Sequence, residues 1–337
     1  MKTTENFVIP AKAGIQNSGS PIKTFGDDTW YQIAVSFLER NNVPDPDISA
    51  SHLLSHVLKK PRLDLKLNPE IKLTVVEEKQ FESLLIKRAT RYPLQYLIKS
   101  LPFRNAVLEI GEGCLIPRPE TELLIDAVFA KLNKTDQLNI LDLGTGSGNI
   151  AISLAMESPS WSLTATDLSE EALRYAKRNS VINSVDHQIN FIKADLFHGI
   201  NGLFDAIVSN PPYLKSGDLM NAQAELSFEP DTALDGGEDG LSFYRRIIQE
   251  AKFVLKKSGH LFLEIGCDQT KSVSELFIQH QFGPIETIKD YAGLERIISA
   301  CFQNRHCEEA EGRRSNPRSE IASLTSFARN DKEVFNG

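Results

Sequence analysis

"LDLGTGSGNIA", Leu141 to Ala151, decides the fold. An apolar run ends at Leu143, and Gly144, Gly146 and Gly148 then open a helical stretch. Glycine suits such a turn because the backbone bends sharply and a ligand must approach it with no Cβ in the way. The spacing is G-x-G-x-G, not the G-x-G-x-x-G of dinucleotide loops, and the Lys-Ser/Thr of a P-loop is missing. Outward from this turn, short apolar runs alternate with helical stretches. "NILDLG", "SLTATD", "INFIKAD", "FDAIVSN" and "HLFLEIG" read as strands, and 149–157, 169–180 and 241–257 read as helices. That alternation predicts an α/β protein, a parallel sheet with helices on both faces.

Acidic and amide side chains recur where these strands end. Asp167 closes "TATD", where a carboxylate can accept both hydroxyls of a ribose, and Ser169 beyond it is a candidate helix cap. Asp195 closes "IKAD", placed to hold an adenine amino group, with Leu196 or Phe197 against the ring. Asp142, Asp167, Asp195 and Asn210 all fall at or near carboxyl ends of strands, where open α/β sheets bind ligands. One such acid is usually a cap; the repeated placement argues for a site. Loops of this spacing are typical of S-adenosyl-L-methionine binding in the class I methyltransferase fold. The candidate cofactor residues are Gly144, Thr145, Gly146, Ser147, Gly148, Asp167, Asp195, Leu196 and Asn210.

The fourth strand ends in "SNPPYL". Proline lacks an N–H and has a fixed φ, so Pro211 and Pro212 make a stiff, extended backbone with free carbonyls. An entering NH2 group can donate one hydrogen to the Asn210 side-chain oxygen and the other to the Pro211 carbonyl, while Tyr213 stacks on the flat group that carries it. This suits methylation of a planar amino nitrogen. Its delocalised lone pair makes it a weak nucleophile, and two acceptors favour the pyramidal, partly positive transition state. The bland reading is a rigid turn at a strand end. Asn210, Pro211 and Tyr213 are the candidate catalytic residues, and Asn210 through Tyr213, Pro212 included, the candidate substrate clamp.

The 337 residues carry a formal net charge of −8 and are 41% hydrophobic. Residues 1–28 balance three Lys against three Asp/Glu, and 305–337 balance six Lys/Arg against six Asp/Glu, so the whole excess sits on 29–304. Phosphate binding draws on Lys and Arg, so stable nucleic-acid binding is not expected. No run reaches the ~18 apolar residues of a membrane span, and no secretory signal is evident, so a cytoplasmic location is expected. Cys114, Cys267, Cys301 and Cys307 are widely spaced, which predicts neither disulfides nor a metal site.

Residues 29–92 read as short amphipathic helices. Trp30, Ile33, Ala34, Phe37 and Leu38 share one stripe, Ser49 is a candidate cap, and Thr74 with Glu77 has capping-box spacing. His52 and His56 lie one turn apart, with no carboxylate or Cys to complete a metal set. "LPFRNAVLEIGEG" reads as a hairpin. The expected layout is an amino-terminal extension (1–28), a helical docking domain (29–98), a linking hairpin (99–114), the ligand-binding domain (115–304) and a tail (305–337). Both ends lack periodicity, read as disordered and dispensable, and resemble translated short dispersed repeats.

The motif Asn-Pro-Pro-Tyr occurs in amino methyltransferases of DNA and ribosomal RNA and in glutamine methyltransferases. "RYPLQYL" (91–97), "LIPRPETELLID" (115–126), "DLGTGSGNIAISLA" (142–155), "FDAIVSNPPYL" (204–214), "FEPDTALDGGEDGLSFYRRII" (228–248) and "LEIGCDQ" (263–269) separate them. In order, over residues 29–302, they resemble the release factor glutamine methyltransferases. The resemblance implies a Rossmann-like, doubly wound, mostly parallel seven-stranded sheet, a small amino-terminal helical bundle and a linking β-hairpin. It implies methyl transfer from S-adenosyl-L-methionine to the glutamine amide of the Gly-Gly-Gln motif in peptide chain release factors, with those factors as partners and the chain a monomer. An amino methyltransferase of DNA adenine or ribosomal RNA guanine is the runner-up, and an inactive cofactor-binding scaffold the third reading. Two positions depart from the family pattern: Lys99 replaces a usual glycine, and Leu196 a frequent aromatic. Arg118, Glu120 and Glu122 either order the substrate loop or cap a helix after Pro119. "FEPDTALDGGEDG" reads equally as a mobile cover or a static loop.

Overall fold

The computed structural model describes residues 29–68, 71–219 and 223–303. The expected extension and tail lie outside the described residues. Five helices come first: α1 (Trp30–Arg40), α2 (Pro46–Leu58), α3 (Arg62–Leu67), α4 (Val75–Ala89) and α5 (Leu94–Ile98). Capping boxes start α1 and α4, where Thr29 with Gln32 and Thr74 with Glu77 exchange hydrogen bonds. Each box satisfies donors that a helix start leaves unpaired. Ala34, Leu38, Leu53, Phe81 and Leu85 pack as the core of this bundle.

Ser49 does not cap α2. The helix begins earlier, at Pro46, whose missing N–H and fixed φ cost nothing at a first turn. Ser49 is instead buried and accepts a hydrogen bond from Arg88 Nε at 3.2 Å. A two-stranded antiparallel hairpin follows, β1 (Ser100–Phe103) and β2 (Ala106–Glu109). Lys99 enters it in the left-handed region, with φ 59°.

The rest of the chain alternates. It runs through α6 (Glu122–Lys131), β3 (Asn139–Leu143), α7 (Asn149–Glu157), β4 (Ser162–Asp167), α8 (Glu170–Ile182) and β5 (Ile189–Lys193). It continues through β6 (Phe204–Ser209), α9 (Ser216–Leu219), α10 (Ser242–Ala251), β7 (Leu255–Glu264), α11 (Thr270–Gln279), β8 (Phe282–Lys289) and β9 (Glu295–Phe302). The sheet has seven strands in the order β5-β4-β3-β6-β7-β9-β8, and β9 runs against its neighbours. The helix expected over 241–257 stops at Ala251. Its last part joins the sheet, with Leu255 in register with Phe204 and the Phe204 N–H donating to the Val254 carbonyl.

Successive strand residues point to opposite faces. Ile140, Ala206, Val208 and Phe262 join a core shared with α7 and continuous with the helical bundle. Leu141, Leu143, Ile207 and Leu263 face α10 and α11 through Tyr244, Ile247, Ile248 and Phe277. The sheet is thus covered on both sides, and its open edge for a ligand is the row of carboxyl ends of β3 to β6.

Candidate active site

Those carboxyl ends frame a cleft of about 270 Å³. Gly144, Thr145, Gly146, Ser147, Asp167, Asp195, Leu196 and Asn210 all line it. The glycine loop is held from beneath by Asp142, which is fully buried. Its Oδ2 accepts the Thr145 hydroxyl at 2.7 Å and the Ala151 N–H at 3.2 Å. Burial pushes this carboxyl up to about 7 against those hydrogen bonds. Asp167 braces the loop from the side: its Oδ2 accepts the Gly146 N–H and its Oδ1 the Ser169 N–H, both at 2.8 Å. Burial raises the Asp167 carboxyl as well, the two hydrogen bonds opposing it. Ser169 also caps α8 through the Ala172 N–H. The capping and ligand-facing readings of this stretch therefore coexist.

Gly144 and Gly146 adopt φ 69° and 57°, and nothing lies within 4 Å of where a Cβ would stand. Their bare backbone borders open space in the cleft, the cradle that an S-adenosyl-L-methionine site requires. Gly148 does not line the cleft. Its φ is 85°, and a Cβ there would meet Ile152 Cδ1 at 2.9 Å and the Ala176 backbone at 3.2 Å, so this glycine serves the packing of α7 on α8. Asp195 stands two residues beyond β5, and Arg246 of α10 takes its carboxylate at 2.9 Å. Leu196 lines the cleft, but Phe197 turns into the core beneath α10, and the aromatic that lines the cleft is Phe243.

Asn210 follows β6 directly. A second cavity of about 160 Å³, lined by Leu115, Arg118, Tyr213, Leu214 and Leu226 among others, adjoins the first. Asn210 and Pro211 line both, Pro212 the larger and Tyr213 the smaller. No donor among the described residues reaches Asn210 Oδ1 or the Pro211 carbonyl. Asn210 Nδ2 donates to Thr121 Oγ1 at 3.2 Å, and Thr121 Oγ1 donates to Glu264 Oε2 at 2.6 Å. Burial and the nearby Glu264 charge push the Tyr213 phenol up to about 12, so it stays neutral. Burial likewise pushes Glu264 up to about 7.

The glycine-rich segment after Phe228 packs directly on this motif. A Cβ on Gly236 would lie 2.8 Å from Tyr213 Cα, and one on Gly240 2.5 Å from the Tyr213 carbonyl. The Leu214 N–H donates to the Leu234 carbonyl, the Gly236 N–H to the Leu214 carbonyl, and Gln269 Nε2 to the Tyr213 carbonyl. These contacts seat the loop on the backbone of the motif.

Arg118 donates to Glu229 at 2.6 Å, and Glu229 also accepts the Ile116 N–H, so Arg118 orders the loop. Pro119 opens a short 3-10 turn, and Glu122 accepts the Arg104 N–H from the hairpin. The helical bundle grips the same loop: Glu225 accepts from both Arg88 and Arg91, and Phe228 packs on Tyr92 with ring centres 5.2 Å apart. His52 lies 2.8 Å from an Arg62 nitrogen, and no cluster of metal-ligating side chains occurs among the described residues.

Sequence reasoning named neither Thr121, Glu264, Gln269, Arg246 nor Phe243 as site residues. Glu264 left a trace: one carboxylate closing the short apolar run "LFL" at 261–263. The others carried no signal apart from lying in the stretches that carry the family resemblance.

A glycine loop and an Asn-Pro-Pro-Tyr turn on a seven-stranded sheet with one reversed strand define a class I methyltransferase. Residues 119–231 match the methyltransferase small domain model, and residues 29–98 match the PrmC N-terminal domain model. The release factor glutamine methyltransferase of Thermodesulfovibrio yellowstonii is 40% identical over 254 residues, 74% of this chain and 90% of that protein. That of Pasteurella multocida is 36% identical over 295 residues, 81% of this chain and 98% of that protein. A solved release factor-specific protein-(glutamine-N5) methyltransferase from Alicyclobacillus acidocaldarius is 30% identical, with a TM-score of 0.36, over 58% of this chain and 99% of that one. On the sequence relatives, the chain belongs to the release factor glutamine methyltransferase family.

Proposed function

We propose that the chain transfers the methyl group of S-adenosyl-L-methionine to the side-chain amide nitrogen of the glutamine in the Gly-Gly-Gln motif of peptide chain release factors. The observation that carries this reading is the meeting of two cavities at Asn210 and Pro211. The larger takes the cofactor, against the bare backbone of Gly144 and Gly146, with Asp167 and Asp195 toward its sugar and base. The smaller takes the glutamine side chain.

When bound, the cofactor would supply an electrophilic methyl group to the amide nitrogen and leave as the neutral thioether, and one amide proton would pass to water. The chain's own part is orientation. Asn210 Oδ1 and the Pro211 carbonyl accept the two N–H bonds of the substrate amide, Tyr213 covers its flat face, and the two acceptors stabilise the positive charge that grows on nitrogen. Pro211 and Pro212 keep these acceptors from relaxing. No strong general base is needed.

The bundle at 29–98 is the docking module, 99–114 the link and 115–304 the catalytic domain, acting as a monomer in the cytoplasm with no stable nucleic-acid partner. Among the described residues no helix is long and apolar enough to cross a membrane. The acidic body disfavours the DNA or RNA reading, because flipping a base needs grip on phosphates.

The test uses methyl-labelled cofactor with an unmethylated release factor and with a copy whose Gly-Gly-Gln glutamine is alanine. Label in the first alone is expected. Label in both, or only in added DNA or ribosomal RNA, overturns the reading. A chain shortened to residues 27–304 is expected to keep the activity.

A further inference from the structure

An asparagine amide can face a substrate with its oxygen or with its NH2, and only the oxygen accepts an incoming N–H. Two buried neighbours decide which way Asn210 turns. Thr121 Oγ1 lies 3.2 Å from Asn210 Nδ2 and 2.6 Å from Glu264 Oε2. A hydroxyl has one proton, and an ionised carboxylate only accepts. Thr121 therefore gives its proton to Glu264 and keeps only lone pairs for Asn210. Asn210 must point its NH2 at Thr121 and its oxygen away, into the cavities. Thr121 and Glu264 are 0% and 1% exposed, so water does not compete for these bonds. The sheet register brings Glu264 to Asn210: Ser209 pairs with Leu263, which places Glu264 beside Asn210.

We propose that Thr121, with its proton committed to Glu264, is a positioning residue that holds the Asn210 amide oxygen toward the substrate nitrogen. This rests on the role of Asn210 given above.

Protonation of Glu264 reverses the logic. The carboxyl then donates to Thr121 Oγ1, the threonine proton is released toward Asn210, and the amide turns over. Arg118 and Glu120 before α6, Arg296 on β9, Tyr213 on the motif and Tyr244 on α10 are the titratable groups that face Glu264. With burial holding this carboxyl near neutrality, transfer slows as pH falls through its titration.

The experiment is single-turnover transfer to an unmethylated release factor at saturating cofactor, using the full chain. Thr121→Ala, Thr121→Ser and Glu264→Gln are each measured with Asn210 intact and with Asn210→Ala. Thr121→Ala is expected to slow transfer about tenfold or more, because misorientation of one acceptor costs rate rather than binding. Cofactor affinity stays at the parental value, Thr121→Ser restores most of the rate, and Thr121→Ala adds nothing once Asn210 is alanine. Glu264→Gln, whose NH2 can donate to Thr121, also slows transfer and removes the acid limb of the pH–rate profile.

A parental rate for Thr121→Ala overturns the proposal, and so does an equal fold-loss in both Asn210 backgrounds, which marks a merely structural role. If Thr121→Ala does not fold, Glu264→Gln decides, since it keeps shape and volume: a parental rate with the acid limb intact overturns the proposal. Parental transfer by Asn210→Ala itself would instead sink the proposed role of Asn210.

Discussion

The two ends of the cleft are held in place by different kinds of contact. At the glycine loop the supports are near in sequence: Thr145 leans on Asp142, three residues away, and Gly146 on Asp167, 21 residues away. At Asn210–Tyr213 the supports are remote: Thr121 is 89 residues from Asn210, and Gln269 is 56 residues from Tyr213. Gly236 and Gly240 press on the same backbone from a third segment. A cradle built from contacts near in sequence forms once two neighbouring strands, β3 and β4, pair. A clamp built from remote segments forms only when the whole domain closes. Distant changes should therefore damage transfer while leaving cofactor binding intact.

The largest stability effect is expected at Gly240. Its φ is 74°, and a Cβ would stand 2.5 Å from the Tyr213 carbonyl and 2.6 Å from Gln269 Nε2. Gly240→Ala should cost about 3 kcal/mol in urea unfolding, from strain plus overpacking. Transfer should slow while cofactor affinity in the folded fraction stays parental. Unchanged stability would show that the loop and the clamp are not packed as one.

Each end also hides an almost fully buried carboxyl that burial raises, Asp142 at one and Glu264 at the other, and pH separates them. Burial lifts Asp142 from 3.8 and Glu264 from 4.5, each to about 7. A folded-state value above the unfolded one means that the folded chain holds an extra proton between the two values. The stabilisation is complete below the unfolded value and is lost as pH rises through the folded one. Unfolding free energy should thus decline from about pH 4 to about pH 7. Asp142→Asn and Glu264→Gln should each flatten that decline by roughly 1–3 kcal/mol, but only Glu264→Gln should alter the pH dependence of transfer. A decline that both variants leave intact would place its origin elsewhere.

The smallest effect is expected away from both ends. Lys99 sits at φ 59°, where a Cβ is strained, and its backbone N–H closes α5 on Gln95. Lys99→Gly should add about 1 kcal/mol in the same unfolding experiment. Cofactor affinity and transfer should not change.

The same contrast explains what could be read from the sequence. The glycine turn, Asp167 and the Asn-Pro-Pro-Tyr turn were legible because each depends on backbone chemistry within a few residues. So was the Thr74–Glu77 capping box. Ser49 misled because Pro46, whose fixed φ suits a first turn, starts α2 three residues earlier. The packing demand at Gly148 was not legible, because one spacing rule covers glycines that border a ligand and glycines needed for helix packing. Leu196 reaches the cleft and Phe197 does not, and Phe243 could not be foreseen there because its place depends on how α10 sits on the sheet. Asn210 and Glu264 meet only through sheet register, Thr121 reaches both from a turn before α6, and Arg88 meets Glu225 only across the two parts of the chain. Proximity of that kind leaves no periodic trace. The family resemblance supplied the substrate, which no spacing could have given.

The division of binding from transfer between the two ends of the cleft underlies these expected effects on transfer. It is tested most directly by measuring cofactor affinity and single-turnover rate, at saturating cofactor, for Asn210→Ala beside Asp167→Ala. Asn210→Ala should slow transfer about 100-fold while holding cofactor within about threefold of parental affinity, and Asp167→Ala should do the reverse. Parental transfer by Asn210→Ala, or the same loss of affinity in both variants, would contradict that division.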